Sequence, residues 1–295
     1  MTVRGFRTAI GVLLALAFAV TAPLAVAASW AKTQVDDTDA YVASVSELAD
    51  DPVVRREVGA QLTRVLTTQL QVSDVPGASD VIGAVVDEVL DSDDFPTVWE
   101  EANRVAHQQV VAILRGDATA ADGDVEISLA DLYNLAAERM RAEGLPVADR
   151  PEGSLTFRTA PPQRLEDAQG AYQGLVAAGT WLPVLALVLL VGAIAIPAGR
   201  SRLTALLVGA LGTVITTGLL LVAVAAGSEI AGLQVRSQDR ALATAVIDAL
   251  LDSLEGRAWI VIVVALLAFV GSIVGLVVTG RAARRRPQQL PPPAV

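Results

Sequence analysis

Four uncharged apolar runs, residues 8–29, 175–199, 203–227 and 258–280, decide what this chain can fold into. Each exceeds the roughly 20 residues that a helix needs to cross a hydrocarbon core of about 30 Å. Lipid offers the backbone no hydrogen-bond partners, so runs of this kind must satisfy their own N–H and C=O groups, and helices do so. A mean hydropathy of +0.51 with 18% charged residues is also too apolar for an ordinary water-soluble domain. The fold class expected is an all-α membrane protein: four transmembrane helices plus a mainly helical extracytoplasmic domain.

The basic residues orient the spans. Arg4 and Arg7 precede the first run, Arg200 and Arg202 separate the second from the third, and Arg281, Arg284, Arg285 and Arg286 follow the fourth. No acid occurs in those flanks, so the positive-inside rule puts both termini in the cytoplasm. Residues 30–174, by contrast, hold 11 Lys+Arg against 27 Asp+Glu, and residues 228–257 hold 3 against 5. The resulting division is 1–7 cytoplasmic, 8–29 first span, 30–174 acidic extracytoplasmic domain, 175–199 second span, 200–202 cytoplasmic loop, 203–227 third span, 228–257 outer loop, 258–280 fourth span and 281–295 a basic, Pro-rich cytoplasmic tail. An acidic outer domain has the wrong sign for nucleic acid, and none is expected as a partner.

The first run has a second reading. Arg4 and Arg7 would make the basic start of a signal peptide and Ala25-Val26-Ala27 its small-residue cleavage pattern. The run is long for a signal peptide, which favours an uncleaved anchor.

Between Trp30 and Tyr172 the periodicity is helical. Thr38 is expected to cap a short helix to about Ala49; Asp51-Pro52 reads as N-cap and first residue of a second, with an apolar stripe of Val54, Val58, Leu62, Val65 and Leu66. Ser79 or Asp80 would cap a third helix to Leu90. Asp94 precedes a long fourth, Phe95 to Arg115, closed by Gly116. Val125 to Ile127 and Leu155 to Arg158 could pair as a small two-stranded ribbon around a helix from Leu129 to Glu143, which Ser128 and Asp131 would cap. Gln163 to Gly174 is expected to run as a helix into the second span.

Trp30, Val35, Asp37-Thr38-Asp39, Tyr41-Val42, Leu48-Ala49 and Asp51-Pro52-Val53 resemble an opening shared by integral membrane proteins of unknown function from actinobacteria. His107, Gln109, Val110 and Leu114-Arg115-Gly116 are similar to that group too, as is the layout of one span, a helical outer domain and three spans. Glu47 departs from it, since a proline often precedes the Leu-Ala pair there. The resemblance implies a place in the cell envelope and brings no activity with it.

Little in the chain points to catalysis. It has no cysteine, which excludes disulfides, Cys-ligated metals and a thiol nucleophile, and a single histidine, His107. On a helical wheel His107 falls opposite a face of Val98, Ala102, Val105, Ala106 and Ile113, near Glu100 and Asn103, and reads as solvated or locally hydrogen-bonded. Three acidic knots, Asp36-Asp37-Thr38-Asp39, Asp91-Ser92-Asp93-Asp94 and Asp122-Gly123-Asp124-Val125-Glu126, invite a calcium reading, but none matches a twelve-residue loop, and all sit at helix starts or turns. No catalytic residue, metal ligand or cofactor is assigned.

Within the spans no ionisable residue lies away from the ends, which argues against a pump. Gly209, Thr213, Thr216 and Thr217 share one side of the third span, and Gly271 and Gly275 stand in GxxxG spacing on the fourth; both patterns suit close helix–helix association. The outer loop from Ser237 to Gly256 reads as an amphipathic helix, with Leu242, Val246, Ile247, Leu250, Leu251 and Leu254 on one half and Thr244, Asp248, Asp252 and Glu255 on the other. Its polar face is acidic, so protein rather than lipid should cover the apolar stripe, and the outer domain is the expected surface. The functional expectation is a non-enzymatic membrane protein acting through its outer domain as a structural, interaction or accessory subunit, with the lipid bilayer and another envelope protein as partners. A transport-related or channel-like subunit is the alternative, and an envelope hydrolase the third.

Overall fold

The computed structural model describes residues 3–69, 76–117, 125–128, 156–159, 162–234 and 240–284. The helix expected over 129–143 and the third acidic knot up to Asp124 lie outside these residues. The elements are α1 (Val3–Asp36), α2 (Thr38–Val45), a 3-10 turn (Ser46–Asp50), α3 (Pro52–Gln69), α4 (Ala78–Leu90), α5 (Phe95–Arg115), β1 (Val125–Ser128), β2 (Thr156–Thr159), α6 (Pro162–Ala195), α7 (Arg200–Gln234) and α8 (Arg240–Arg284). The strands pair antiparallel, Val125 opposite Thr159. Four helices, α1, α6, α7 and α8, are long and apolar enough to cross a membrane. The chain forms two compact units, one of residues 1–29, 178–224 and 254–295 and the other of residues 30–177 and 225–253.

The first unit is built on small residues. Among the described residues α1 buries Gly11, Ala15, Ala19, Pro23 and Ala25 along one side, and its neighbours come close there. A Cβ on Gly11 would overlap Pro197; one on Gly192 would lie 3.0 Å from Leu14, one on Gly209 3.2 Å from Ala15 and one on Gly212 2.8 Å from Ala19. The Thr216 hydroxyl donates to the Ala19 carbonyl at 2.5 Å, while that of Thr213 donates back to Gly209. The polar side of α7 is therefore packed on α1, the small-residue contact expected where apolar side chains gain nothing by leaving lipid. On α8, Leu254, Ala258, Ile262, Ala265 and Ser272 form one buried seam. The GxxxG pair divides: Gly275 meets Leu203 of α7, whereas Gly271 has nothing within 4 Å. Trp181, Leu187, Val188 and Val191 of α6 and Ile260, Val264 and Leu267 of α8 are exposed, as side chains bathed in lipid would be.

Several boundaries differ from the sequence reading. The second span stops at Ala195, not Gly199: Pro197 lacks the N–H that a further turn would use, and Gly199 takes a left-handed φ of 64° that ends the helix. Arg200 to Arg202, read as a loop, form the first turn of α7. The amphipathic segment and the fourth span are one helix, α8, which passes through Gly256 without a break; Ser237 lies outside the described residues.

The second unit has its core where α2, the 3-10 turn, α3, α4 and α5 meet. Ala49, Val86, Leu90 and Phe95 form one cluster, with Val58, Ile82 and Trp99 against it. Asp51 caps α3 as expected, accepting from the Val53 and Val54 amides at 2.7 and 3.1 Å. The stripe on α3 holds only in part: Val54 and Val58 are packed, but Leu62 and Leu66 are exposed. The contact with α4 runs instead through Gly59, beside Leu90, and Thr63, beside Gly83, since small residues let two helices approach. Two caps also move. Asp37, not Thr38, caps α2, and α4 starts after Gly77, whose φ of 81° makes the turn, with no cap from Ser79 or Asp80.

The Gly212 contact gives a test. Gly212→Leu should destabilise the detergent-solubilised protein by about 1–3 kcal/mol through overpacking, whereas Gly218→Leu, on the same helix with open space around it, should be neutral or better. Thermal unfolding of the two variants compares them directly; equal melting temperatures would mean that α1 and α7 are not held this closely.

Candidate functional site

The polar side chains around the single histidine are positioned by α5. Its packed face is Phe95, Trp99, Asn103, His107 and Val111, four residues apart each time. Phe95, His107 and Val111 are buried. The Trp99 indole donates to the Val45 carbonyl at 2.8 Å, and the Asn103 amide turns back to Trp99. His107 is thus not solvated on an outer face. It is 8% exposed, stacked on Tyr41 with ring centroids 4.3 Å apart, and both ring nitrogens are engaged. Its Nε2 lies 3.1 Å from the Gln34 carbonyl oxygen and Nδ1 3.1 Å from the Thr38 hydroxyl. A carbonyl only accepts, so Nε2 carries the proton and the Thr38 hydroxyl donates to Nδ1 in the neutral ring. Burial pushes the pKa of His107 below its ordinary value, against a smaller opposing effect of the Gln34 carbonyl and of Asp37.

Gln34 ties this histidine to the rest of the unit. Its amide nitrogen donates to Ser44 of α2 at 2.9 Å and to Ser253 of α8 at 3.2 Å, and the Trp30 indole donates to the same Ser253 hydroxyl at 2.7 Å. The Gln34 side-chain oxygen is buried with no partner among the described residues, a cost of about 1–3 kcal/mol. Two residues further along α1, Asp36 accepts from both the Tyr172 hydroxyl and Arg115 at 2.6 Å, and Arg115 also donates to the Asp36 carbonyl. The Gln169 amide donates to the Ile113 carbonyl at 2.9 Å. These contacts clasp the start of α6 to the end of α5 and raise the pKa of Arg115, chiefly through its bond to Asp36. No signal within the sequence brings Asp36, Arg115 and Tyr172 together; only the fold does.

The first acidic knot is thereby accounted for residue by residue. Asp36 holds the clasp, Asp37 caps α2, Thr38 meets His107 and Asp39 pairs with Arg104. In the second knot Asp91 lies 3.7 Å from Arg55 and the Ser92 hydroxyl donates to Val89. Among the described residues no group of three His, Asp or Glu is placed to hold a metal ion.

The amphipathic start of α8 meets the core of this unit. Ala245, Val246, Ala249 and Leu250 pack on Val45, Leu48 and Val54, the docking expected of Val246 and Leu250. Beside this contact lies an open groove of about 1080 Å³, with Ala43, Leu48, Val53, Ala245 and Ala249 among its apolar walls and Ser44 and Thr244 among its polar ones. Five carboxylates, Glu47, Asp50, Asp51, Asp248 and Asp252, line it. Asp50 pairs with Arg55 at 2.8 Å and Asp51 caps α3, but Glu47, Asp248 and Asp252 bond to no other described side chain. Chemically the groove can receive a cationic, partly apolar segment.

No family model, no curated protein and no solved structure matches this chain.

The buried neutral histidine sets a pH dependence. With its folded pKa below 6.5, the stability that His107 contributes is complete above that value and is lost as the pH falls through the folded pKa, because the unfolded chain binds the proton first. Thermal unfolding of the full chain should therefore drop between pH 7.5 and pH 5 more steeply for the wild type than for His107→Gln. Parallel profiles would show that this ring does not carry the effect.

Proposed function

We propose that this chain is a non-enzymatic, multi-pass protein of the cell membrane whose second unit lies outside the cytoplasm and binds another envelope protein, in a structural or accessory-subunit role. The observation that carries this reading is the groove between α2, the 3-10 turn and the start of α8. Three of its carboxylates have no structural partner among the described residues, and its walls offer small apolar side chains for a segment to rest on. A partner segment that presents Lys or Arg beside small apolar residues fits that chemistry, and charge complementarity would speed and orient its docking. The polar groups of the second unit otherwise serve to join helices: Gln34, Ser44, Ser253, Thr38 and His107 hold one another.

The resemblance of the opening after Trp30 to actinobacterial membrane proteins supports a place in such an envelope. The packing of α1 against Pro197, Gly209 and Gly212 supports its retention as an anchor, because cleavage after Ala27 would strip the small-residue face of α7 of its contacts. The channel-like reading has less behind it, since the Thr213 and Thr216 hydroxyls are taken by carbonyls.

Two experiments test the proposal. In this cysteine-free chain, Gln108→Cys, at an exposed position on α5, should react with a membrane-impermeant maleimide in intact cells and Arg284→Cys should not; the reverse pattern would invert the topology. Affinity capture in mild detergent should then recover a protein with the wild type that the Asp248→Asn, Asp252→Asn double variant recovers at least roughly tenfold less, as loss of two complementary charges predicts. Equal recovery by the variant would remove the groove as the docking surface.

A further inference from the structure

The ends of the apolar helices that carry arginine meet at a single turn. Gly11 of α1 packs on Pro197, and Leu203 of α7 packs on Gly275 of α8, so three helices converge on residues 196–203. Arg7 donates through Nε to the Ile196 carbonyl at 2.9 Å, and Arg202 donates through Nε to the next carbonyl, Pro197, also at 2.9 Å. Arg200 lies with Nη2 3.4 Å from the Leu276 carbonyl of α8. Arg281 follows Gly275 by six residues, about 9 Å along the helix, and is exposed. The two Nε contacts have a structural purpose, since they satisfy the two carbonyls that follow the end of α6. They also fix the guanidinium planes. A fork held at Nε directs its outer Nη edge away from the capped carbonyl, ready for a second acceptor.

That acceptor is not a carboxylate of this unit. The only acid in residues 1–29, 178–224 and 254–295 is Glu255, which bonds to Trp259 and precedes Leu276 by 21 residues, about 32 Å along α8. The sequence adds Arg4, Arg284, Arg285 and Arg286 to the same flanks without a counter-charge. Residues that close an apolar span stand at headgroup depth, where the anions within reach are lipid phosphates.

We infer that Arg7, Arg200, Arg202 and Arg281, gathered around the turn between α6 and α7, form a binding site for the phosphate of an anionic phospholipid. Recognition is bidentate: a phosphate oxygen pair meets the outer edge of a fixed guanidinium, which a zwitterionic lipid, whose phosphate is shielded by its own ammonium, meets less well. The site rests only on these helices spanning the bilayer and is independent of the groove in the second unit.

The full chain reconstituted in vesicles of equal parts phosphatidylglycerol and phosphatidylcholine, then extracted in neutral detergent, should retain phosphatidylglycerol in preference. Arg200→Gln with Arg281→Gln should lower that preference by roughly tenfold or more, since each arginine near an anionic surface is worth about fivefold. Arg257→Gln, at the opposite end of the apolar run 258–280, should leave it unchanged. If the Gln pair fails to fold, Arg200→Lys with Arg281→Lys decides, because it keeps the charge and loses the fork, and its preference should fall between those of the wild type and zero. Equal retention of both lipids by the wild type would overturn the proposal, as would a wild-type preference in the double variants. Displacement of the lipid by millimolar glycerol phosphate would overturn it in another way, by making this a site for free phosphate.

Discussion

The second unit depends on the last turn of α1, where one residue, Gln34, serves three helices. Its main-chain carbonyl holds His107 of α5, and its side-chain amide holds Ser44 of α2 and Ser253 of α8. None of these bonds is strong alone, each contributing about 0.5–1.5 kcal/mol net. Their value lies in direction. A buried amide with two hydroxyls to satisfy admits one arrangement of the helices around it, and the apolar contacts of Val45, Leu48 and Val54 with Val246 and Leu250 then fill in a geometry already chosen.

The first unit is ordered by the opposite means. Ala15 and Ala19 against Gly209 and Gly212 bring α1 and α7 close enough for a hydroxyl, that of Thr216, to reach a carbonyl across the helix pair. Leucine in water would leave the solvent to reach such a contact; in lipid it gains nothing, and close van der Waals packing of small residues is what remains. The same chain therefore uses large apolar side chains in one unit as core and leaves them exposed on the long apolar helices of the other.

What could be read from the sequence follows the same physics. Span number and the helix bounds of α5 were legible because run length, the acid Asp94 before the first turn and the glycine after Arg115 act locally. The docking of α8 was legible because an apolar stripe opposite an acidic one leaves few surfaces to choose from. His107 was misplaced because the wheel weighed aliphatic residues only. The face actually packed consists of Phe95, Trp99, Asn103, His107 and Val111, and its three polar members, Trp99, Asn103 and His107, sit inward because α1, α2 or α5 itself supplies their hydrogen-bond partners. The clasp of Asp36, Arg115 and Tyr172 joins residues 79 and 136 positions apart, and no periodicity carries that information. The shift of the cap from Thr38 to Asp37 has the same origin: the threonine hydroxyl is needed by His107.

The carboxylates around the core of the second unit fall into two kinds. Asp36, Asp37, Asp39, Asp50 and Asp51 each take a named cation or helix amide, so their charge is consumed in holding helices together. Glu47, Asp248 and Asp252 line one open groove, two of them contributed by α8 and one by the 3-10 turn. Carboxylates drawn from elements some two hundred residues apart in sequence do not repel one another into different places unless the fold permits it, yet here apolar docking of α8 brings them to one surface. The mutual repulsion is a standing cost of that docking, about 1 kcal/mol for a pair at 4 Å in water and less at longer range, and a cation seated among them would remove it. At this groove, binding of a basic segment of the kind proposed and stability of the fold would favour each other.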